Sequence, residues 1–319
     1  MTENLISTRV SSSSSMKLVD EAISSKNPQS SVTCVYQTHI GGYWRHVTVF
    51  WNKNVMSHSV TITVDSIESD DHPTCKIDLK PWNFWAKKGY KTFEVDGNQL
   101  EAYWDFRSPK FSGSGSPEPS ADYYVALVAE EEVVMLLGDH KKKAYKRSKA
   151  RPALVDAVLF YKKEHVFGKK SFSTRARLDH KMNKECDIVV ESSTTGSKDP
   201  EMWISIDGIV LVHVKNLQWK FRGNQTVVVN KLPVQVFWDV HDWLFSNNLP
   251  GGGGSDHGLF IFKPDGTGTE AETSDVDESS AGGDSSECGS TESRYYSTTQ
   301  SHSGGSTPFC LFLYAWKLE

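Results

Sequence analysis

The chain has 319 residues, of which 38% are hydrophobic and 11% aromatic, with ten Trp and a formal net charge of −5 at pH 7. This is enough apolar surface for one large domain or two ordinary ones. No run reaches the roughly 18 apolar residues of a membrane-spanning helix, and the start MTENLISTRVSSSSS lacks the apolar stretch of a secretory signal, so neither class is expected.

Residues 1–30 read as a disordered leader, because the run Ser11–Ser15 has nothing to bury. Glu3, Asp20 and Glu21 argue against a transit peptide. Val32–Ile40 and Tyr43–Trp51, rich in β-branched and aromatic residues, flank Gly41-Gly42 and predict an antiparallel hairpin. Val60–Val64 and Cys75–Leu79 predict two more strands, and a hairpin turning at Asp96-Gly97-Asn98 follows. Phe111–Ala121 reads as a loop, and Tyr123–Val128 with Val133–Leu137 as another hairpin. Asp139–Arg151 predicts a short helix or an exposed connector, stopped by Pro152. Beyond it, strands are expected at Leu154–Tyr161, Phe172–Leu178, Asp187–Val190, Trp203–Ile206 and Ile209–Val214, the last two joined by an Asp207-Gly208 turn. Pro250–Ser255 reads as a glycine linker and Leu259–Phe262 as a short strand. Residues 264–307 are acidic and rich in Gly, Ser and Thr, which predicts disorder, before Phe309–Trp316 closes the chain as a final strand.

One stretch repeats. Trp85–Phe106 aligns without gaps on the segment beginning at Trp219, 134 positions later, with six identities in 22 positions. These are Trp85/Trp219, Gly89/Gly223, Thr92/Thr226, Val95/Val229, Trp104/Trp238 and Asp105/Asp239. On a strand of period two, Leu100, Ala102, Trp104 and Phe106 share one face, as do Val234, Val236, Trp238 and Val240. Both tryptophans are therefore expected in a core and both aspartates on the outside. Trp85 and Trp219 are also expected to bury. The fold expected is all-β, with two tandem antiparallel sandwich-like halves, residues 31–138 and 153–263, related by internal duplication. A basic connector (139–152) joins them, and an acidic loop (264–307) precedes a closing strand within 308–319. One large, partly open barrel is the alternative.

The segments CVYQTHIGGYWRHVTVFWNKN, WNFWAKKGYKTFEVDG, SADYYVALVAEEEVVMLLGD, KEHVFGKKSF, ISIDGI and Trp219–Phe245 together resemble the plant domain-of-unknown-function family 868, over about residues 31–319. The resemblance implies a plant origin and a single-family architecture. It supplies no activity and no catalytic residue.

The chain contains no HExxH, GxSxG, P-loop or dinucleotide fingerprint. Its five cysteines are scattered without a CxxC pair, which points to free thiols and no zinc site. The nearest approach to a catalytic constellation is Asp239, His241 and Asp242, an acid/base or metal pair if Asp239 and His241 share a strand face. The structural alternative is that Asp105 and Asp239 pair with Lys88 and Arg222. Catalysis, metals and cofactors are not expected.

Charge is strongly segregated. Between Lys141 and Lys184 stand 15 Lys and Arg against three acids, whereas Asp265–Glu292 holds nine acids and no Lys or Arg. Lys141, Lys142, Lys143, Lys146 and Arg147, supported by Lys169 and Lys170, are the candidates for contact with a protein partner or an anionic membrane surface. The same block fits a solvated linker or a nuclear import signal, and no nucleic-acid motif accompanies it. Trp82 and Trp85, beside Lys87 and Lys88, are the candidates for stacking on a carbohydrate or small ligand. Thr269 and Ser274 each have an acid three residues on, the pattern of acid-directed phosphorylation, which would strengthen an acidic segment competing for the basic block. The leading expectation is a non-catalytic interaction module of the cytosol, with the nucleus as the alternative.

Overall fold

Val, Ile and Trp at every second position of the first hairpin dictate a sheet with one apolar face. In the computed structural model, which describes residues 30–54, 57–67, 72–79, 87–113, 115–167, 170–179, 185–193, 199–245, 257–265 and 309–316, this hairpin is β1 (Ser30–Ile40) and β2 (Tyr43–Lys53). The leader 1–29, and residues 266–307 of the acidic segment, lie outside the described residues. β3 (His58–Val64) and β4 (Thr74–Leu79) extend the hairpin into an antiparallel meander. Val47, Val49, Trp51, Val60, Ile62, Val64, Cys75 and Ile77 all bury on its inner face.

The repeated hairpin comes next, as β5 (Lys88–Val95) and β6 (Asn98–Asp105). The segment expected to be a loop contains a two-stranded ribbon, β7 (Lys110–Phe111) and β8 (Pro119–Ala121). β9 (Tyr124–Ala129) and β10 (Glu132–Gly138) complete a second meander, to which β11 (Arg151–Pro152) adds a short parallel edge. The two meanders enclose the first core. In it Trp51 meets Phe106 and Tyr123 edge-on, with ring centroids 6.0 and 5.9 Å away.

The second half repeats this succession. β13 (Ser171–Ala176), β14 (Cys186–Ser193), β15 (Glu201–Ile206) and β16 (Ile209–Val214) form a four-stranded meander. β17 (Arg222–Val229), β18 (Leu232–Asp239), β19 (His257–Pro264) and β20 (Cys310–Trp316) form the next. Their inner faces enclose a second core around Ile188, Ile204, Trp238, Trp243, Phe260 and Leu313. The hairpin turns at Asp96-Gly97 and Asp207-Gly208 are as expected, both residues of each having positive φ.

One strand joins the halves. β12 (Val158–Phe167) runs antiparallel to β1 and parallel to β20, fusing strands of both halves into one nine-stranded sheet of order β17-β18-β19-β20-β12-β1-β2-β3-β4. No sheet among the described residues closes into a barrel. The terminal strand β20 therefore lies inside the sheet and not at its rim. The strand expected at Leu154–Tyr161 begins four residues later and runs on through Lys162, Lys163, Glu164 and His165. Leu154 is 95% exposed.

Lys162 and Glu164 are buried here because their charges meet partners. Lys162 Nζ donates to Glu118 Oε2 and to the Arg175 carbonyl, each at 3.0 Å, and lies 4.0 Å from Glu164. Thr174 Oγ1 donates to Glu164. Burial acts to lower the Lys162 pKa, but Glu118 and Glu164 outweigh it and hold the ammonium above the ordinary lysine range. Burial is the main reason that the Glu164 carboxyl is raised. Glu118 comes from the first half and Arg175 from the second, so the ammonium pins both halves to the shared strand.

Candidate anion-binding surface

The basic connector folds into helix α1 (Lys141–Ser148), the sequence KKKAYKRS. Its short apolar side, Ala144 and Tyr145, rests on Tyr103, Tyr124, Ala126, Val128 and Val133, on the outer face of the five-stranded sheet. Ala144 is fully buried. The helix ends where Lys149 turns left-handed and its N–H bonds to the Tyr145 carbonyl. This seat points Lys142, Lys143, Lys146 and Arg147 outward, all exposed, while Lys141 is exposed at the rim of a central cleft.

Electrostatics within the helix oppose much of this arrangement, although Lys146 and Arg147 stand in the last turn, where the dipole favours cations. The first turn holds three lysines and no acid, where the helix dipole favours negative charge. Lys142/Lys146 and Lys143/Arg147 are like-charge pairs at i,i+4 spacing. His140, the N-cap residue, makes no side-chain capping bond. Among the described residues, Lys141, Lys142, Lys146 and Arg147 form no ion pair, and Lys143 approaches only the His140 ring, at 3.3 Å. The neighbouring Arg151 is different: it pairs with Glu132 at 2.8 Å.

Of the other candidates for anion contact, stacking or phosphorylation, only Lys170 is among the described residues. Lys170 is exposed just before β13, in the second half, and Lys169 lies outside the described residues. Trp82, Trp85, Thr269 and Ser274 lie outside them too. Trp219, expected to bury, is 82% exposed, because it sits in the turn before β17 and not on the strand.

Asp239 and His241 do not share a strand face. β18 ends at Asp239, and His241 opens the short helix α2 (His241–Leu244). Arg222 holds Asp239 through two nitrogens at 2.8 and 2.6 Å, and His241 Nδ1 lies 2.8 Å from Asp242. All three groups are thus engaged within the chain. Asp105, at the equivalent place in the first half, was expected outside and is buried at 5% exposure. The outer face of its sheet is covered by α1, and Arg107 folds back over it, with contacts of 2.9 and 2.8 Å. Burial alone would raise its pKa, but Arg107 and then Lys88, 4.0 Å away, bring it below the ordinary aspartate value.

The central cleft, about 1610 Å³, opens between the halves. Cys34, Tyr36, Tyr123 and Lys162 line its floor, with Arg175, Arg177, Asp179 and Asp187 among the residues nearer the rim. Burial first, and Glu118 next, push the Cys34 thiol far up, the opposite of what an attacking thiolate needs. The four described cysteines are free thiols. Asp122, Asp139 and His140 converge near α1, but Lys110 holds Asp122 at 2.8 Å and the Tyr123 N–H donates to Asp139 at 3.2 Å. Among the described residues, no helix is long and apolar enough to cross a membrane.

The cost of the helix's own charge pattern is not legible in the lysine run until the helix and its ends are known. The lysine run was visible, but only the seating of Ala144 and Tyr145 shows which cations stand free. Comparison with known proteins places the chain in a family: it belongs to the family described as "Plant protein of unknown function (DUF868)", whose model matches residues 27–317. No curated protein and no solved structure matches it.

Proposed function

We propose that this plant-family protein is a non-catalytic interaction module that docks on an anionic membrane surface through α1, in the cytosol, and that its two halves are copies of one duplicated unit. The observation that carries the docking reading is a row of exposed cations, none in an ion pair among the described residues, on a helix whose i,i+4 spacing disfavours them and whose dipole disfavours those of the first turn. Charges kept against local stability are best accounted for by a partner outside the chain. The side of α1 that would insert into lipid is already spent on the sheet, so binding is electrostatic, with about 1 kcal/mol from each Lys or Arg near the surface. The repeated strand succession and the matched registers of β5–β6 and β17–β18 support the duplication.

Co-sedimentation with vesicles tests the reading. Vesicles rich in phosphatidylserine should carry the protein down at low salt, less so at physiological salt, and neutral vesicles should not. Equal binding to neutral vesicles, or none to either, would rule it out.

A further inference from the structure

We infer that β17 is a self-association edge, along which a second copy of this chain adds its own β17 antiparallel about a twofold axis. An edge strand offers a row of unpaired backbone N–H and C=O groups, and folded proteins normally blunt such rows with charge, bulges, proline or brevity. The other edges here are blunted. β4 carries Lys76 and Asp78, β13 carries Arg175, and β11 is two residues long with Pro152. β7 and β8 have only two and three residues. β16 breaks register with β15 between Ile204 and Ser205.

Beyond its first residue, β17 has none of these devices. All eight residues pair with β18 in unbroken register, and none is proline, lysine or acid. Its single charge, Arg222, sits at one end and is held by Asp239. The first half supplies an internal control. β5 occupies the matching eight positions and the matching sheet edge, yet carries exposed Lys88, Lys91 and Glu94. Where β5 has Lys91 and Glu94, β17 has Gln225 and Val228.

Four of the eleven large apolar side chains exposed among the described residues lie at the same place. Ile209, Val210, Trp219 and Val228, exposed by 65, 56, 82 and 65%, lie on β16, on β17 and on their connection. β16 lies beside β17 here, with Gln225 Nε2 3.5 Å from the Leu211 carbonyl in an exposed contact. The edge pairs with its own copy without conflict, and a second copy is the occupant inferred. A twofold centred on Thr226 sets Thr226 against its mate, Asn224 against Val228, and Arg222 against Asn230, so no like charges meet.

Sedimentation equilibrium of the full chain tests this. The mass should rise with concentration from one chain toward two. Gln225→Lys combined with Val228→Glu, which gives β17 the charges of β5, should hold the protein at one chain. Because both side chains are exposed, the variant should melt like the wild type, and the melt separates lost association from lost folding. The complementary variant Trp219→Ser, off the strand, should weaken association without abolishing it. A wild type that stays one chain throughout, a double variant that still dimerises, or a complex closed only by another protein's strand would each overturn the inference.

Discussion

Gly223 lies directly opposite Trp238 across the β17–β18 ladder, and a Cβ placed on it would stand 2.5 Å from Cζ2 of the indole. In the first half Gly89 faces Trp104 in the same way, with 2.9 Å to Cζ2. The ring lies over the neighbouring strand, and only a residue without a side chain leaves it room. Gly223→Ala should therefore cost about 1–3 kcal/mol through overpacking. Gly89→Ala should have the same sign and a smaller size. Urea denaturation measures both, and replacing Trp238 with Leu should remove most of the Gly223→Ala penalty in a double-mutant cycle.

This pair of contacts also shows what was legible in the sequence. The repeated Gly and Trp positions, the two-residue periodicity of Leu100–Phe106 and the turn dipeptides are local signals, and they located β5, β6, β17 and β18. Asp105 and Trp219 were misplaced for non-local reasons. Whether the outer face of a strand meets water depends on α1, a segment some 40 positions further on. Whether a tryptophan near a strand buries depends on where that strand starts. β12 was truncated because Lys162 and Glu164 look like surface residues until Glu118 and Thr174 are seen to meet them. The free cations of α1 were legible as a cluster, but not as a cluster kept against the helix's own preferences.

The Lys162 cluster predicts a large loss on truncation. Lys162→Met leaves Glu118 and Glu164 without their cation, Glu164 fully within the protein, and should cost about 3–5 kcal/mol. Thermal or urea unfolding measures it. A change within about 1 kcal/mol would mean that the halves are held without this ion cluster.

His165 predicts an acid-sensitive fold. Its ring stacks on Tyr314 and Trp316, with centroids 5.2 and 6.2 Å away. Burial, then Lys163 and His257, lower its pKa from 6.5 to about 3. The unfolded chain thus binds a proton that the folded chain refuses, so stability is full above pH 6.5 and falls as pH drops toward 3. His165→Phe should flatten this part of the profile, read as the urea midpoint against pH, whereas an unchanged slope would assign it to other groups.

The central claim is that the free cations of α1 form the docking surface. Its most direct test compares wild type with Lys142→Glu, Lys143→Glu, Lys146→Glu and Arg147→Glu combined, at fixed low salt, on phosphatidylserine-rich vesicles. All four side chains are exposed, and the dipole gain from acids in the first turn is offset by acids in the last, so the variant should fold and melt close to the wild-type temperature. Loss of vesicle binding in that folded variant is the result predicted here. Binding that survives the four reversals would contradict the account and move the search for a partner to another face of the molecule.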